Sequence, residues 1–243
     1  MSCSFTLGHY REILESALQA GYVFEGFHYQ ISSSQASQIY LRHDIDVCLE
    51  EALDMAILED ELGVRATYFV LVNSPLYNLL SKDSLELIHQ INSRGHWIGL
   101  HVDVPLLKSS DLVQLENQIS KFIDFYAAYL PLVPVVSFHR PHVDVLGHEF
   151  THFISTYSPR FFNKIKYISD SRGIWREGCP CEALKQRAYP ALQILVHPIW
   201  WLLKEETLSQ KLQRLLGKRF VHFKHYLGEN IEPLGRLLQE GKQ

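Results

Sequence analysis

The 243-residue sequence has no basic run that would mark a phosphate-backbone footprint, and its formal net charge is -4. A nucleic-acid partner is therefore not expected. No stretch reaches the roughly 18 consecutive apolar residues that a membrane-spanning helix needs. The opening "MSCSFTLGHYREILESAL" has no basic segment followed by an apolar one. A secretory signal is thus not expected, and a cytoplasmic location is. Neither GxGxxG nor GxxxxGK[ST] occurs, and no break in composition marks a linker. Of the four cysteines, Cys179 and Cys181 form a C-P-C pair. That is half a zinc site, and no second cysteine pair completes a four-thiolate set, so these read as loop cysteines in the reduced state.

What is present is an ordinary globular composition, with 47% hydrophobic and 21% charged residues. Apolar spacing predicts helices over 9–20, 48–62, 83–94, 110–129 and 204–216, a weaker one over 146–158, and a poorly patterned helical tail over 219–241. Gly21 and Gly63 mark two helix exits. Strands are predicted over 38–45, 65–72, 96–102, 134–139, 166–170 and 191–197. Strand and helix alternate with short links, which argues for a parallel sheet covered by helices. One α/β domain, closed or nearly closed into a barrel, is the natural form at this length.

The polar residues gather at the C-terminal ends of these strands. Asp44 and Asp46 end the first, His101 and Asp103 the third, His139 and Arg140 the fourth, Asp170 the fifth and His197 the last. In parallel α/β folds that edge is where sites are built. Alternation puts Arg42, Asp44 and Asp46 on one face of their strand, and Gly99, His101 and Asp103 on one face of theirs. Two carboxylates held close would repel unless one took a proton or a cation intervened. Carboxylate and imidazole together suit Zn2+ or a similar divalent ion, with the remaining aspartate free to act as a base. The plain alternative for Asp44 and Asp46 is salt bridging to Arg42. His43, on the opposite face, reads as structural; His96, His142, His148 and His152 read as surface or rim residues.

These segments resemble, in order, the motifs of the polysaccharide deacetylases of carbohydrate esterase family 4, the nodulation-type deacetylase homology domain. "RHDID" stands at the paired-aspartate motif, and "ATYFV" at the next strand. "GHWIGLHVD" stands at the metal-binding histidine, "SFHRP" at the Arg-Pro motif, "SDSRGIW" at the Asp…Trp motif and "LVHPIWW" at the Leu-x-His motif. The resemblance spans roughly 38–202 and implies a distorted (β/α)7 TIM-like barrel as a single domain over 1–243. Residues 1–37 would then be an N-terminal helix and lead-in, and 203–243 C-terminal helices.

The resemblance also implies a metal-dependent hydrolase that removes an acetyl group from an N- or O-acetylated sugar, sugar nucleotide or glycan precursor, with Zn2+ as the expected ion. It makes Asp44 the general base, with Arg140 orienting it and Asp170 assisting. Asp46 and His101 become metal ligands, and His197 the general acid. Trp175, Trp200 and Trp201 would line a sugar groove, joined by His142.

Two departures stand out. Ile45 separates the two aspartates, and Pro105 occupies the position of the family's second metal histidine. The third ligand must come from elsewhere; His139 is preferred and Asp103 is the alternative. The missing histidine also keeps open a metal-independent amidohydrolase acting on a non-sugar C–N bond, or a catalytically degenerate barrel that binds a glycan or a partner.

Overall fold

The computed structural model describes residues 3–28, 37–103 and 111–240; Pro105 lies outside them. The chain divides into two compact units, Met1–Leu203 and Lys204–Gln243. The first holds every described strand. The second consists of α7 (Leu208–Asn230) and α8 (Glu232–Glu240), and a Thr207–Gln210 capping box starts α7. No described helix is long and apolar enough to cross a membrane.

In the first unit the elements run α1 (Leu7–Gln19), β1 (Tyr22–Phe24), β2 (Ser37–Ile45), α2 (Leu49–Glu61), β3 (Thr67–Leu71), α3 (Lys82–Ser93), β4 (Trp97–Asp103), α4 (Leu112–Ala127) and β5 (Leu132–His139). They continue through β6 (Ile154–Ser155), α5 (Pro159–Phe162), β7 (Lys166–Ser169), α6 (Cys181–Lys185) and β8 (Ala191–Val196). Thr6 and Ser81 cap α1 and α3 with their hydroxyls. Gly21 and Gly63, at φ +77° and +70°, take the left-handed turns that follow α1 and α2.

The sheet is parallel throughout, in the order β6-β5-β4-β3-β2-β8-β7, with β1 paired to β2 off that path. Seven strands thus give the α/β architecture expected of a distorted (β/α)7 barrel, in the form of a half-barrel: among the described residues β6 and β7 do not pair across its open side. Alternation sorts the side chains into two cores. Ile39, Leu41 and Ile45 of β2 face outward and join the large cluster beneath the helices. Tyr40 faces inward and packs with Phe27, Phe69, Val135 and Phe161. The ladder between β4 and β5 shifts register between Ile98 and Leu100, next to Gly99 and opposite the Pro134 segment. A Cβ on Gly99 would lie 2.6 Å from the Phe69 ring and 2.8 Å from the Val135 carbonyl. Glycine is what lets the two strands close around the inner aromatic cluster.

Several elements depart from the sequence reading: the short helices α5 and α6 were not expected, and α7 runs unbroken across 216–219. The helix expected over 146–158 is a turn-rich segment containing β6. Its Leu146, Phe150, Phe153 and Tyr157 have helical spacing, but Gly147 sits at φ +75° and breaks the run. Phe150 and Phe153 instead stack at 4.6 Å under Phe138. β1, three residues long, is too short to show alternation.

The outward face of β2 carries a buried polar knot. Glu59 of α2 accepts from Tyr10 Oη and Tyr68 Oη (2.5 and 2.7 Å), and its Oε1 lies 2.6 Å from His43 Nε2. His96 Nδ1 lies 3.4 Å from Glu59 Oε2. Tyr68 stacks on His43 at 4.1 Å. All five side chains are buried. His43 is structural, as its face implied, whereas His96, read from sequence as a surface residue, is fully enclosed. Its Nε2–H donates to the Ala56 carbonyl at 3.0 Å and its Nδ1 accepts the Ala66 N–H at 3.3 Å, which fixes a neutral ring.

Candidate active site

The site is built on the inward faces at the C-terminal ends of β2, β4, β5 and β8. Tyr40, Arg42 and Asp44 alternate inward along β2, and Asp46 follows just past its end. Gly99, His101 and Asp103 do so on β4, and Val135, Ser137 and His139 on β5. The register pairs His101 with Ser137 and Asp103 with His139. His197 follows the end of β8, on the face of Gln193 and Leu195.

Three of these side chains converge. Asp46 Oδ1 lies 3.1 Å from His101 Nε2 and 3.1 Å from His139 Nδ1, and the two nitrogens are 3.2 Å apart. Among the described residues they form a trio that could hold a metal ion. Tetrahedral Zn2+ with bonds of about 2.0–2.1 Å has ligand–ligand edges of roughly 3.3 Å, close to this triangle. Asp46 Oδ1 is buried and has no hydrogen bond of acceptable geometry, as expected of an atom that awaits a cation. His101 is prepared in the same sense. Its Nδ1 faces the Ser137 carbonyl at 3.0 Å, which holds the proton there and turns the Nε2 lone pair toward Asp46. The donor set, two imidazoles and one carboxylate, fits Zn2+ or a similar divalent ion.

Burial works against charge on Asp46, yet His101 and His139 outweigh it and hold this carboxyl far below the usual range. The Asp46 carboxylate, 3.1 Å from its Nδ1, pulls His139 up.

Asp44 sits deeper. Arg42 grips it with Nε to Oδ1 (2.8 Å) and Nη2 to Oδ2 (2.7 Å), and Ser137 Oγ donates to both oxygens at 3.0 and 3.1 Å. Arg42 is itself enclosed, donating to Gln193 Oε1 and Tyr157 Oη and packing 4.7 Å from the Tyr157 ring. Burial raises the Asp44 pKa, but Arg42 overrides it and the group stays ionised. Asp44 Oδ2 reaches to 3.6 Å from His101 Nε2, so this carboxylate borders the trio.

Opposite stands His197. Its Nδ1 is 2.6 Å from Asp170 Oδ1, and its backbone N–H donates to both Asp170 oxygens. Trp201 Nε1 donates to Asp170 Oδ2 at 2.8 Å. Nε2 is left pointing into the site, 4.0 Å from Asp46 Oδ2. Burial disfavours the charged ring, but Asp170 pulls His197 up to about 9.

Several sequence expectations change here. Arg140, expected on Asp44, pairs instead with Asp103 at a largely exposed position, with its backbone in the left-handed region at φ 48°. Arg42 does the orienting, so the plain salt-bridge reading of Asp44 holds alongside any chemistry. Asp170 serves His197 and not Asp44. Asp103, the alternative third ligand, faces Arg140 and stands outside the trio, whereas His139 is in it. Trp201 is 1% exposed and supports Asp170 from the core. Trp175 packs on Phe5 and Trp201. Trp200 is half-buried with Gly173 against its ring. His142 is exposed and pairs with Asp144. These side chains therefore do not form one groove wall. Ser137, Gln193 and Tyr157 went unnoticed in the sequence. For Ser137 and Gln193 the signal was available, because they lie two residues before His139 and two before Leu195 on inward faces.

Neither family models nor curated proteins give a match to this sequence. Solved structures do show likeness. One is a family 4 carbohydrate esterase from Bacillus anthracis (14% identity, 86% of this chain and 85% of that one, TM-score 0.43). Another is a CE4 family pseudoenzyme from Bacillus anthracis (14%, 76% and 61%, 0.40). A third is the chitin deacetylase from Colletotrichum lindemuthianum (17%, 76% and 84%, 0.38). The chemistry assigned to this chain rests on its own residues.

Proposed function

We propose that this chain is a hydrolase that removes an acetyl group from an N- or O-acetylated sugar or glycan precursor, using a divalent metal, most simply Zn2+. The observation that carries the reading is the convergence of Asp46 Oδ1, His101 Nε2 and His139 Nδ1 at 3.1–3.2 Å, flanked by Asp44 and by an Asp170-held His197. The order of motifs in the sequence points to the same reaction class.

Asp46, His101 and His139 would hold the ion. When bound, it supplies Lewis acidity to the acetyl carbonyl and makes water easier to deprotonate. Asp44 takes the proton from the attacking water, and Arg42 keeps that carboxylate ionised and aimed. His197 gives a proton from Nε2 to the departing nitrogen or oxygen as the C–N or C–O bond breaks, leaving acetate and a free amine or hydroxyl. Asp170 keeps the His197 ring oriented and stabilises its charge. A three-ligand set that leaves positions open is the form of a catalytic rather than a structural site. With His139 in the trio, the absence of a histidine at position 105 no longer argues for metal-free chemistry.

The test is acetate release from a panel of N-acetylglucosamine oligomers, acetylated sugar nucleotides and O-acetyl sugars, before and after chelation and with Zn2+ restored. Release that depends on metal and disappears in His101→Ala supports the reading. Release unchanged by thorough chelation, or glycan binding with no release across the panel, overturns it.

A further inference from the structure

Four metal-ligating side chains that the proposed reaction does not use meet outside the barrel. Cys3 lies in the lead-in to α1 and His9 in its first turn, while Cys179 and Cys181 flank Pro180 at the start of α6. One ligand atom of each lies within 4.8 Å of all the others. The Sγ atoms of Cys179 and Cys181 are 3.0 Å apart, and His9 Nε2 is 3.3 Å from the first and 3.7 Å from the second.

From sequence, Cys-Pro-Cys was half of a ligand set with no second cysteine pair. The fold supplies the other half from 170 or more positions away along the chain, as a cysteine and a histidine. Tetrahedral Zn2+ with Zn–S of about 2.3 Å and Zn–N of about 2.0–2.1 Å has ligand edges of roughly 3.5–3.8 Å. The observed 3.0, 3.3 and 3.7 Å lie within or somewhat below that range, and the remaining separations within 4.8 Å.

A second feature points the same way. His9 Nδ1 lies 2.9 Å from Glu12 Oε2, one turn further along α1. A carboxylate on one ring nitrogen holds the proton there and turns the other lone pair outward, which is how ligating histidines are prepared. Here the prepared nitrogen is the one that faces the thiols. A disulfide between Cys179 and Cys181 would leave Cys3 and the oriented His9 without a purpose.

The geometry points to a structural Zn2+ site with three thiolates and one imidazole, formed by Cys3, His9, Cys179 and Cys181 and distinct from the Asp46–His101–His139 trio. Soft thiolates with one imidazole select zinc, and four protein ligands close the site to substrate. Metal binding there closes a long chain loop and pins the N-terminal lead-in and α1 to the segment leading into α6. That clip backs the active site. Phe5, beside Cys3, packs on Trp175 and on Trp201 at 5.1 Å between ring centres, and Trp201 donates to Asp170.

The test uses the full chain. In an Asp46→Ala/His101→Ala background, which removes the other site, elemental analysis should find about one zinc per chain. Substitution by Co2+ should give a near-ultraviolet thiolate-to-metal charge-transfer band that a carboxylate–imidazole site does not produce. Adding Cys179→Ser/Cys181→Ser should remove both the band and the zinc. A second measurement needs no variant: in reduced wild-type protein, zinc should shield Cys3, Cys179 and Cys181 from a thiol reagent and a chelator should restore labelling, with the buried Cys48 as internal reference. No charge-transfer band in wild-type protein, a band that persists after both serine substitutions, or equal labelling with zinc and with chelator would overturn the proposal.

Discussion

Arg42 and Asp44, two positions apart on β2, form a two-pronged ion pair wholly inside the barrel, with N–O distances of 2.8 and 2.7 Å. The i, i+2 spacing of a strand puts both on the inner face, where little water screens them. A charge in that position is tolerable only with its partner. The pair therefore does two things at once. It fills the interior, and it fixes a carboxylate next to the Asp46–His101–His139 trio.

Arg42→Met should cost about 3–5 kcal/mol of unfolding free energy, because it strands Asp44 as a lone buried charge. Arg42→Lys should fall between Met and wild type, since it keeps the charge but loses the fork and the reach to Gln193 and Tyr157. Chemical denaturation reads both, and wild-type stability in the Met variant would refute the account. Asp44→Asn should slow acetate release by at least about 100-fold. It will also destabilise the fold, so its rate has to be referred to the folded fraction.

His139→Ala and Asp103→Asn separate the two possibilities for the third ligand. His139 lies in the trio, whereas Asp103 is taken up by Arg140. Loss of a direct ligand should weaken Zn2+ binding by more than about 100-fold, beyond the range seen for supporting residues. Asp103→Asn should leave affinity within about tenfold of wild type. Competition with a chromophoric chelator measures both in a Cys179→Ser/Cys181→Ser background, which removes the thiolate cluster, and the reverse ranking would make Asp103 the ligand.

Acid should unfold the protein through the Glu59 knot. The His96 pKa is lowered by burial, so below about 6.5 the unfolded chain binds a proton that the folded one resists. Stability is then lost as pH falls from about 6.5 through the depressed folded value. For Glu59, burial raises the pKa, but His43 and, to a lesser degree, the Tyr10 hydroxyl outweigh it and leave it lowered. Its contribution is present above about 4.5 and lost as pH falls through the folded pKa. Melting temperatures from pH 8 to pH 4 should drop in that order. Glu59→Gln should be less stable at pH 7 and show a flatter acid limb; an unchanged limb would count against this assignment.

Alternation along strands made most of the site legible in advance. Asp44, Asp46, His101, His139 and His197 stand at strand ends on predictable faces, and those strands were readable from β-branched and aromatic runs. Pairings across the barrel were not legible. That Arg42 rather than Arg140 holds Asp44 depends on which inward side chains meet at one depth, which needs the register between strands. The same is true of Trp201. Its motif position suggested a sugar-facing surface, but its indole N–H turns inward to Asp170 and the ring is buried among Phe5, Tyr10 and Trp175. Residues 146–158 misled for a local reason, because one left-handed glycine overrode a helical spacing of aromatics.

The pairing of Asp170 with His197 gives the sharpest test of the proton-donor role. Asp170 accepts from the ring, from the His197 backbone N–H and from the Trp201 indole. Asp170→Asn keeps the shape and can still accept from the last two, but it no longer stabilises a charged imidazole. Turnover of an N-acetyl sugar, whose leaving amine needs a proton, should fall by about 10²–10⁴ with KM little changed. An activated ester such as 4-nitrophenyl acetate loses a stable phenolate without protonation, so its hydrolysis should be far less affected. His197→Ala should show the same split between substrates. If both substrates slow equally in these variants while melting temperatures stay near wild type, His197 is not the acid and its contact with Asp46 has some other purpose.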